Sequence, residues 1–204
     1  QAGLLAERSR AREAPATLHT APRDGGDPAA LPASLDEVGG WDWGDARLVV
    51  EHCDAVRPGQ AFEKGFLPIE DEIDTIARVD ADIGLWLNWG RSAIELRDAD
   101  AVTTQIRDAA ASGILAGLTF SGVATVDGPY GPAWIDAHPP ILSTDPSSRS
   151  LLDDDHVAAA LAAADAVPWL GLKVSRLPAD RTAAEVLTTV ARNLEVVRRA
   201  QATA

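Results

Sequence analysis

Short apolar runs rich in β-branched residues alternate along this chain with longer stretches whose apolar positions recur every three or four residues. The first kind reads as strand and the second as amphipathic helix. Residues 4–14 have the helical pattern: Leu4, Leu5 and Ala11 share a face among Glu7, Arg8, Arg10 and Arg12, and Pro15 ends the run. A strand over 16–20 follows, then a Gly/Pro/Asp loop over 22–28 and a short helix over 35–38 that Ser34 caps. The run Arg47-Leu48-Val49-Val50-Glu51-His52 predicts a second strand. Pro68 then opens a helix through Ile69, Ile73 and Ile76, with Glu70, Asp71 and Glu72 near its positive end. Residues 83–88 predict the third strand, 101–111 a helix capped by Asp100 and stopped by Gly113, and 114–120 the fourth strand. A Gly/Pro-rich loop over 122–149 holds Tyr130, Trp134 and His138. Loops of that length inside a compact domain tend to be functional. A helix over 153–164, a strand over 169–174 and an amphipathic helix over 182–200 complete the pattern.

Strands that are apolar throughout and alternate with helices imply a parallel sheet covered by helices. Two α/β architectures satisfy this, an open doubly wound sheet and a (β/α)8 TIM barrel. No Gly-rich phosphate fingerprint follows any strand, which weakens the dinucleotide-binding form of the first. Polar residues gather at the strand ends, as the barrel requires. The expectation is one barrel domain over 1–204.

Composition narrows the function classes. No apolar run reaches the ~18–20 residues of a membrane span, and the start lacks the apolar core of a secretory signal. A soluble, cytoplasmic protein is therefore expected. The 31 acidic against 18 basic residues give a net charge of −13, a surface that repels a phosphate backbone and argues against nucleic acid as partner. The single cysteine, Cys53, rules out an internal disulfide and is read as a buried bystander. The chain has no methionine and opens at Gln1 within a helical pattern, from which a fragment is expected.

Several residues bear chemistry. Glu51 ends an apolar strand, where a carboxylate is costly unless paired or functional. A site role and a salt bridge are both open to it. Its neighbour His52 is a candidate for the pocket or a hydrogen-bonded structural histidine. Lys173, one of only two lysines, sits in Gly171-Leu172-Lys173-Val174. It can bind an anion, transfer a proton, form a Schiff base, or pair with Glu51. Asn88, Trp89 and Arg91 form a polar-aromatic cluster in which Trp89 can stack on a sugar and Arg91 can clamp a carboxylate or phosphate. The plain alternative is a core tryptophan and an exposed arginine. His19 ends a strand and His138 lies in the long loop; both are pocket candidates. His156 is expected at the surface, and Asp153, Asp154 and Asp155 as helix N-terminal charge.

The segments Leu18-His19-Thr20-Ala21-Pro22, Val49-Val50-Glu51-His52-Cys53-Asp54 and Leu85-Trp86-Leu87-Asn88-Trp89-Gly90-Arg91, in that order, resemble strands four, five and six of the xylose-isomerase-like barrels, the sugar isomerase/epimerase superfamily. The whole sequence is similar to an uncharacterised bacterial domain-of-unknown-function family within that group. The resemblance implies that the five strands are barrel strands four to eight and that three are missing, since a full barrel takes about 250 residues. Metal-dependent members hold a divalent cation with a Glu, an Asp, a His and a Glu that end strands five to eight, and an Asp-x-x-His motif often marks strand six. Glu51 matches the first ligand. Asn88 stands at the Asp, Arg91 at the motif's His, Ser121 near the strand-seven His and Lys173 near the last Glu. Hard divalent ions want anionic oxygens, so no metal site and no cofactor are expected, with a metal held through Glu51 left open. The resemblance further implies a small-molecule substrate, a sugar or carbonyl compound. Glu51 would act as base and Lys173 would stabilise an enediolate oxygen, with Ser121 beside them. The alternatives are a Schiff-base lyase or aldolase built on Lys173, and a carbohydrate-binding barrel without activity.

Overall fold

The period-two alternation of the strands decides the architecture. The computed structural model describes residues 14–20 and 30–203. The loop expected over 22–28 lies outside them, as does the helix expected over 4–14 apart from Ala14. In chain order the elements are β1 (Ala14–Leu18), α1 (Ala30–Gly39), β2 (Ala46–Glu51), α2 (Ile69–Ile76), β3 (Ile83–Asn88), α3 (Trp89–Leu96), α4 (Ala99–Ala111), β4 (Leu115–Phe120), α5 (Asp154–Ala164), β5 (Trp169–Leu172) and α6 (Ala183–Gln201). One 3₁₀ turn, Pro146–Ser148, interrupts the long loop.

All strands are parallel and lie in the order β1-β2-β3-β4-β5. Each crossover therefore steps one place in the same direction. Right-handed crossovers that never reverse direction put every helix on one face of the sheet. A doubly wound sheet needs a reversal, and none occurs among the described strands. The helices pack side by side accordingly, α1 on α2, α3 on α4, α4 on α5 and α5 on α6. The large core lies between them and the sheet, with Leu48, Val50, Leu85, Leu87, Leu118 and Phe120 on the sheet side. The opposite face holds a second, small cluster of Val49, Trp86 and Ala116, with Trp169 against it. The sheet is curled into a half-barrel with that small cluster inside.

A bulge sets which side chains of β4 point inward. Leu85 and Trp86 of β3 pair with Leu115 and Gly117, so Ala116 is an extra residue. Leu115 and Leu118, three apart, both pack on the large core. Without the bulge, alternation from Leu115 would send Thr119 and Ser121 toward the helices; with it, they face the barrel interior.

Element ends follow local chemistry, with some departures from expectation. Asp98, rather than Asp100, caps α4 by accepting from Asp100 N and Ala101 N at 2.9 and 3.1 Å. Helix α1 begins earlier than the 35–38 reading, and Ser34 lies inside it, bonded to Ala30 O at 2.9 Å rather than capping. Asp153 caps α5, and Thr182 forms a capping box with Glu185 on α6. Helix α3 was not expected. His156 is not free surface: it is partly buried, with its ring 5.8 Å from that of Trp89 and Nδ1 2.7 Å from Asp153.

Glycines on β4 and β5 leave room for Trp86 on the inner face. Its Nε1 donates to Thr119 Oγ1 at 2.7 Å, and its ring stacks on Trp169 at 6.4 Å between centroids. A Cβ on Gly117 would lie 2.3 Å from that ring. Gly117→Ala is expected to cost about 1–3 kcal/mol by forcing Trp86 aside, read as a lower urea midpoint. The exposed Leu187→Ala should shift it by less than about 0.5 kcal/mol.

Candidate active site

Alternation carries four polar side chains to the same end of the inner face. Inward positions run Val49 to Glu51 on β2, Trp86 to Asn88 on β3 and Thr119 to Ser121 beyond β4. On β5 they run from Gly171 to Lys173, just past the strand. The C-terminal ends of parallel strands are where α/β folds place ligands. Lys173 Nζ donates to Glu51 Oε1 at 2.7 Å, and Asn88 Nδ2 donates to the same oxygen at 3.1 Å. Ser121 Oγ donates to Asn88 Oδ1 at 2.7 Å. That amide oxygen also accepts from Gly90 N and Arg91 N at 3.2 and 3.4 Å, which makes Asn88 the N-cap of α3. Glu51 is almost fully buried, whereas the Lys173 side chain is 41% exposed and offers the cation to solvent or substrate.

His19 joins from just past β1, whose register ends with Leu18 opposite Val50. Its Nε2 lies 3.6 Å from Glu51 Oε2, and its Nδ1 lies 3.4 Å from Cys53 Sγ. Burial, aided by Glu51, Asp54 and Glu72 against the opposing pull of Arg91, pushes the Cys53 thiol up to about 12. Buried and beside the His19 ring, it is held toward its neutral thiol form.

Arg91 forms a second centre at the rim. Its Nη1 donates to Asp54 Oδ1 at 3.1 Å and reaches Glu63 Oε2 at 3.4 Å, and its Nη2 pairs with Asp136 of the long loop. With three carboxylates around it, the guanidinium is engaged in tying loops together. His138 stands beside Asp136, its Nδ1 3.1 Å from Asp136 Oδ1.

The structure takes two of the sequence candidates out of the pocket. Trp89 is fully buried in the large core. It follows the inward Asn88 and opens α3, so its ring packs behind the sheet and cannot stack on a sugar. His52 follows the inward Glu51 and faces the helices. Its Nδ1 lies 2.7 Å from Glu72 Oε2 and its Nε2 2.8 Å from Glu95 Oε2, with all three side chains fully buried. Thr20 donates to Glu72 Oε1 at 2.9 Å, Ala55 N to Glu95 Oε2 at 3.1 Å and Arg57 Nε to Glu95 Oε1 at 3.0 Å. Burial alone would push the His52 imidazole down. The Glu72 charge and hydrogen bond, then those of Glu95, reverse this and hold it up at about 10. Burial would likewise raise the Glu95 carboxyl, but His52, Ala55 N and Arg57 keep it below the ordinary range. The cluster is a buried imidazole between two carboxylates that favour its charged form, and it joins the chain just past β1 and β2 to α2 and α3.

The four positions aligned with metal ligands do not fit a divalent cation. An ammonium and an amide N–H point at the single carboxylate, where a metal would need anionic oxygens. Among the described residues, no group of three or more His, Cys, Asp or Glu is placed to hold a metal. Nor is any described helix long and apolar enough to cross a membrane.

Sequence reasoning missed Asp54, Glu63 and Asp136, which surround Arg91. Asp54 follows a strand end and binds Glu63 N and Lys64 N at 2.7 and 2.9 Å; its closeness to Glu51 was the available signal. Asp136 lies two residues before His138, a spacing that could have drawn notice.

The chain matches one family model and a curated relative. The family described as a domain of unknown function, DUF4862, matches residues 2–189. An uncharacterised protein of Salmonella typhimurium strain LT2 is 39% identical over 170 residues, which cover 80% of this chain and 52% of that protein. The chain thus spans about half the length of this curated relative.

The His52 cluster yields a stability test. His52→Gln removes the cation shared by two buried carboxylates, leaving Glu95 with Arg57 and Glu72 with Thr20, and is expected to cost about 3–5 kcal/mol near neutral pH in urea unfolding. The folded-state value of about 10 lies above the unfolded value near 6.5, so the imidazolium stabilises the fold fully below about pH 6.5. That contribution is lost as the pH rises through about 10. The gap between wild type and His52→Gln should narrow over that window; a gap constant to pH 10.5 would contradict a charged His52.

Proposed function

Because this chain belongs to the DUF4862 family, we propose a role from the chemistry of the cleft itself: proton transfer on a small sugar or related carbonyl compound, without a divalent metal. We read the half-barrel as strands four to eight of a (β/α)8 barrel of the xylose-isomerase-like kind. The observation that carries the function is the Glu51–Lys173 pair, a carboxylate and an ammonium 2.7 Å apart on the inner face at the strand ends.

Isomerisation or epimerisation needs a base for a proton next to a carbonyl and a positive group for the oxygen that gains charge. Glu51 supplies the base. Lys173 supplies the charge that related barrels take from a metal, and its exposed position leaves it free to move onto a substrate oxygen. Asn88 supports this arrangement. A carboxylate at 88 would repel Glu51, whereas the amide donates to it and still caps α3. His19 lies along the same carboxylate and lines the cleft.

A Schiff base at Lys173 is the second reading, favoured by its exposure alone. Its nitrogen donates to Glu51 at 2.7 Å, and that contact must break before the amine can attack a carbonyl. A binding-only barrel remains the third.

Solvent-deuterium incorporation into small ketoses and aldoses, followed by NMR, separates these. Glu51→Gln and Lys173→Ala are each expected to lower incorporation about 10²-fold or more. Equal rates in both variants and wild type would sink the mechanism. Borohydride trapping that adds mass at Lys173 would favour the Schiff base, and ligand binding with neither result would favour the binding protein.

A further inference from the structure

The loop over 122–149 is held down where it passes the cleft, and the hold is strained. Trp134 and His138 both have left-handed backbone, with φ of 61° and 52°, a conformation that non-glycine residues adopt at a cost. Trp134 lies under the Arg97 guanidinium, 4.3 Å from its ring centroid. Asp136 N donates to Glu63 Oε2 at 2.7 Å, and the Asp136 carboxylate pairs with Arg91. On the other side, Ser175, two residues beyond Lys173, donates its N–H to His138 O at 2.8 Å and its hydroxyl to Ala137 O at 2.6 Å. The segment 136–138 is thereby fixed between the Arg91 centre and the chain that leaves β5.

Within that segment, Asp136 Oδ1 and His138 Nδ1 are 3.1 Å apart. Both are buried, and neither makes an aligned hydrogen bond with any described residue. A buried carboxylate oxygen and a buried ring nitrogen left in this state are costly. At 3.1 Å each is within reach of the other, and such contacts in catalytic pairs often tighten only when substrate binds. The Asp136 carboxyl is ready to accept. Burial would raise it, but His138, Arg91 and Lys173 hold it below the ordinary carboxylate range.

We propose that Asp136 and His138 form a second acid–base pair of this site, in which the Asp136 carboxylate accepts a hydrogen bond from His138 Nδ1–H and leaves Nε2 to exchange protons with substrate oxygens. This rests on the proton-transfer reading of the cleft. The step balances without an oxidant. Glu51 removes the proton from carbon, and the C–H electron pair becomes the C=C bond of an enediol. The carbonyl oxygen takes a proton from protonated His138 Nε2. In the return half, neutral His138 takes the proton of the neighbouring hydroxyl, and Glu51 returns its proton to the former carbonyl carbon. Lys173 stabilises charge on the oxygens, and His138 moves protons between them. Asp136 acts through His138 and is a positioning residue.

The test reads the ring directly. The full chain is labelled with ¹⁵N-histidine, and His138→Gln identifies the His138 signals among the four histidines. Neutral His138 is expected to carry its proton on Nδ1. Asp136→Asn should move it to Nε2, as a wrongly oriented amide does, and Asp136→Glu should restore it. An Nε2–H ring in the wild type, or one indifferent to Asp136→Asn, overturns the pair. Deuterium incorporation into dihydroxyacetone and D-fructose is the second readout, where His138→Gln is expected to lose about 10²-fold. If the wild type incorporates deuterium and His138→Gln keeps pace, the pair is overturned while the Glu51–Lys173 mechanism stands. If the wild type incorporates none, the proton-transfer reading falls and takes the pair's catalytic role with it, whatever the tautomer.

Discussion

The contact between Lys173 and Glu51 is a chord across the curled sheet. β2 and β5 are separated by two strands, so in a flat sheet their backbones would stand roughly 14 Å apart, three spacings of ~4.8 Å. The side chains nevertheless meet at 2.7 Å. Only curvature brings them within reach, and that curvature gives the molecule an inside. Crossovers that never reverse put the helices on the convex side and leave the concave side to a few large side chains and the polar ends of the strands. The ion pair and the curl support each other: without the curl the charges are apart, and without the pair the buried Glu51 carboxylate loses its ammonium partner.

Much of this was legible in the sequence because it depends on period. Short apolar runs marked five strands, and the run at 83–88 has the bounds of β3 (Ile83–Asn88). The polar residues that follow those runs, Glu51, Asn88, Ser121 and Lys173, do meet. What escaped was decided by features without a local signature. Helix α3 begins directly at the end of β3, so Asn88 and Trp89 read as one cluster. In fact Asn88 ends the strand facing inward, and Trp89 turns into the core. The partners of His52 lie 20 and 43 residues away in sequence, on two helices, and no spacing rule connects them. Asp136 reaches Arg91 from a loop with no periodicity at all.

The bulge at Ala116 shows how a single residue governs the site from below. Ser121 and Thr119 point inward because one extra residue reset the alternation of β4. A hydrophobic pattern cannot reveal this, since Leu115 and Leu118 both look like ordinary core positions. The bulge keeps the large core filled on one face while it places a hydroxyl against Asn88 on the other.

Glu51 and His52 are consecutive, yet they belong to opposite sides of a wall. The charge cluster behind the wall fastens β1 and β2 to two helices. The cluster in front ends on a cation whose side chain is 41% exposed. In a strand built this way neighbouring positions answer to different demands: a substitution in front alters what the cleft can do, while one behind the wall loosens the scaffold that holds it.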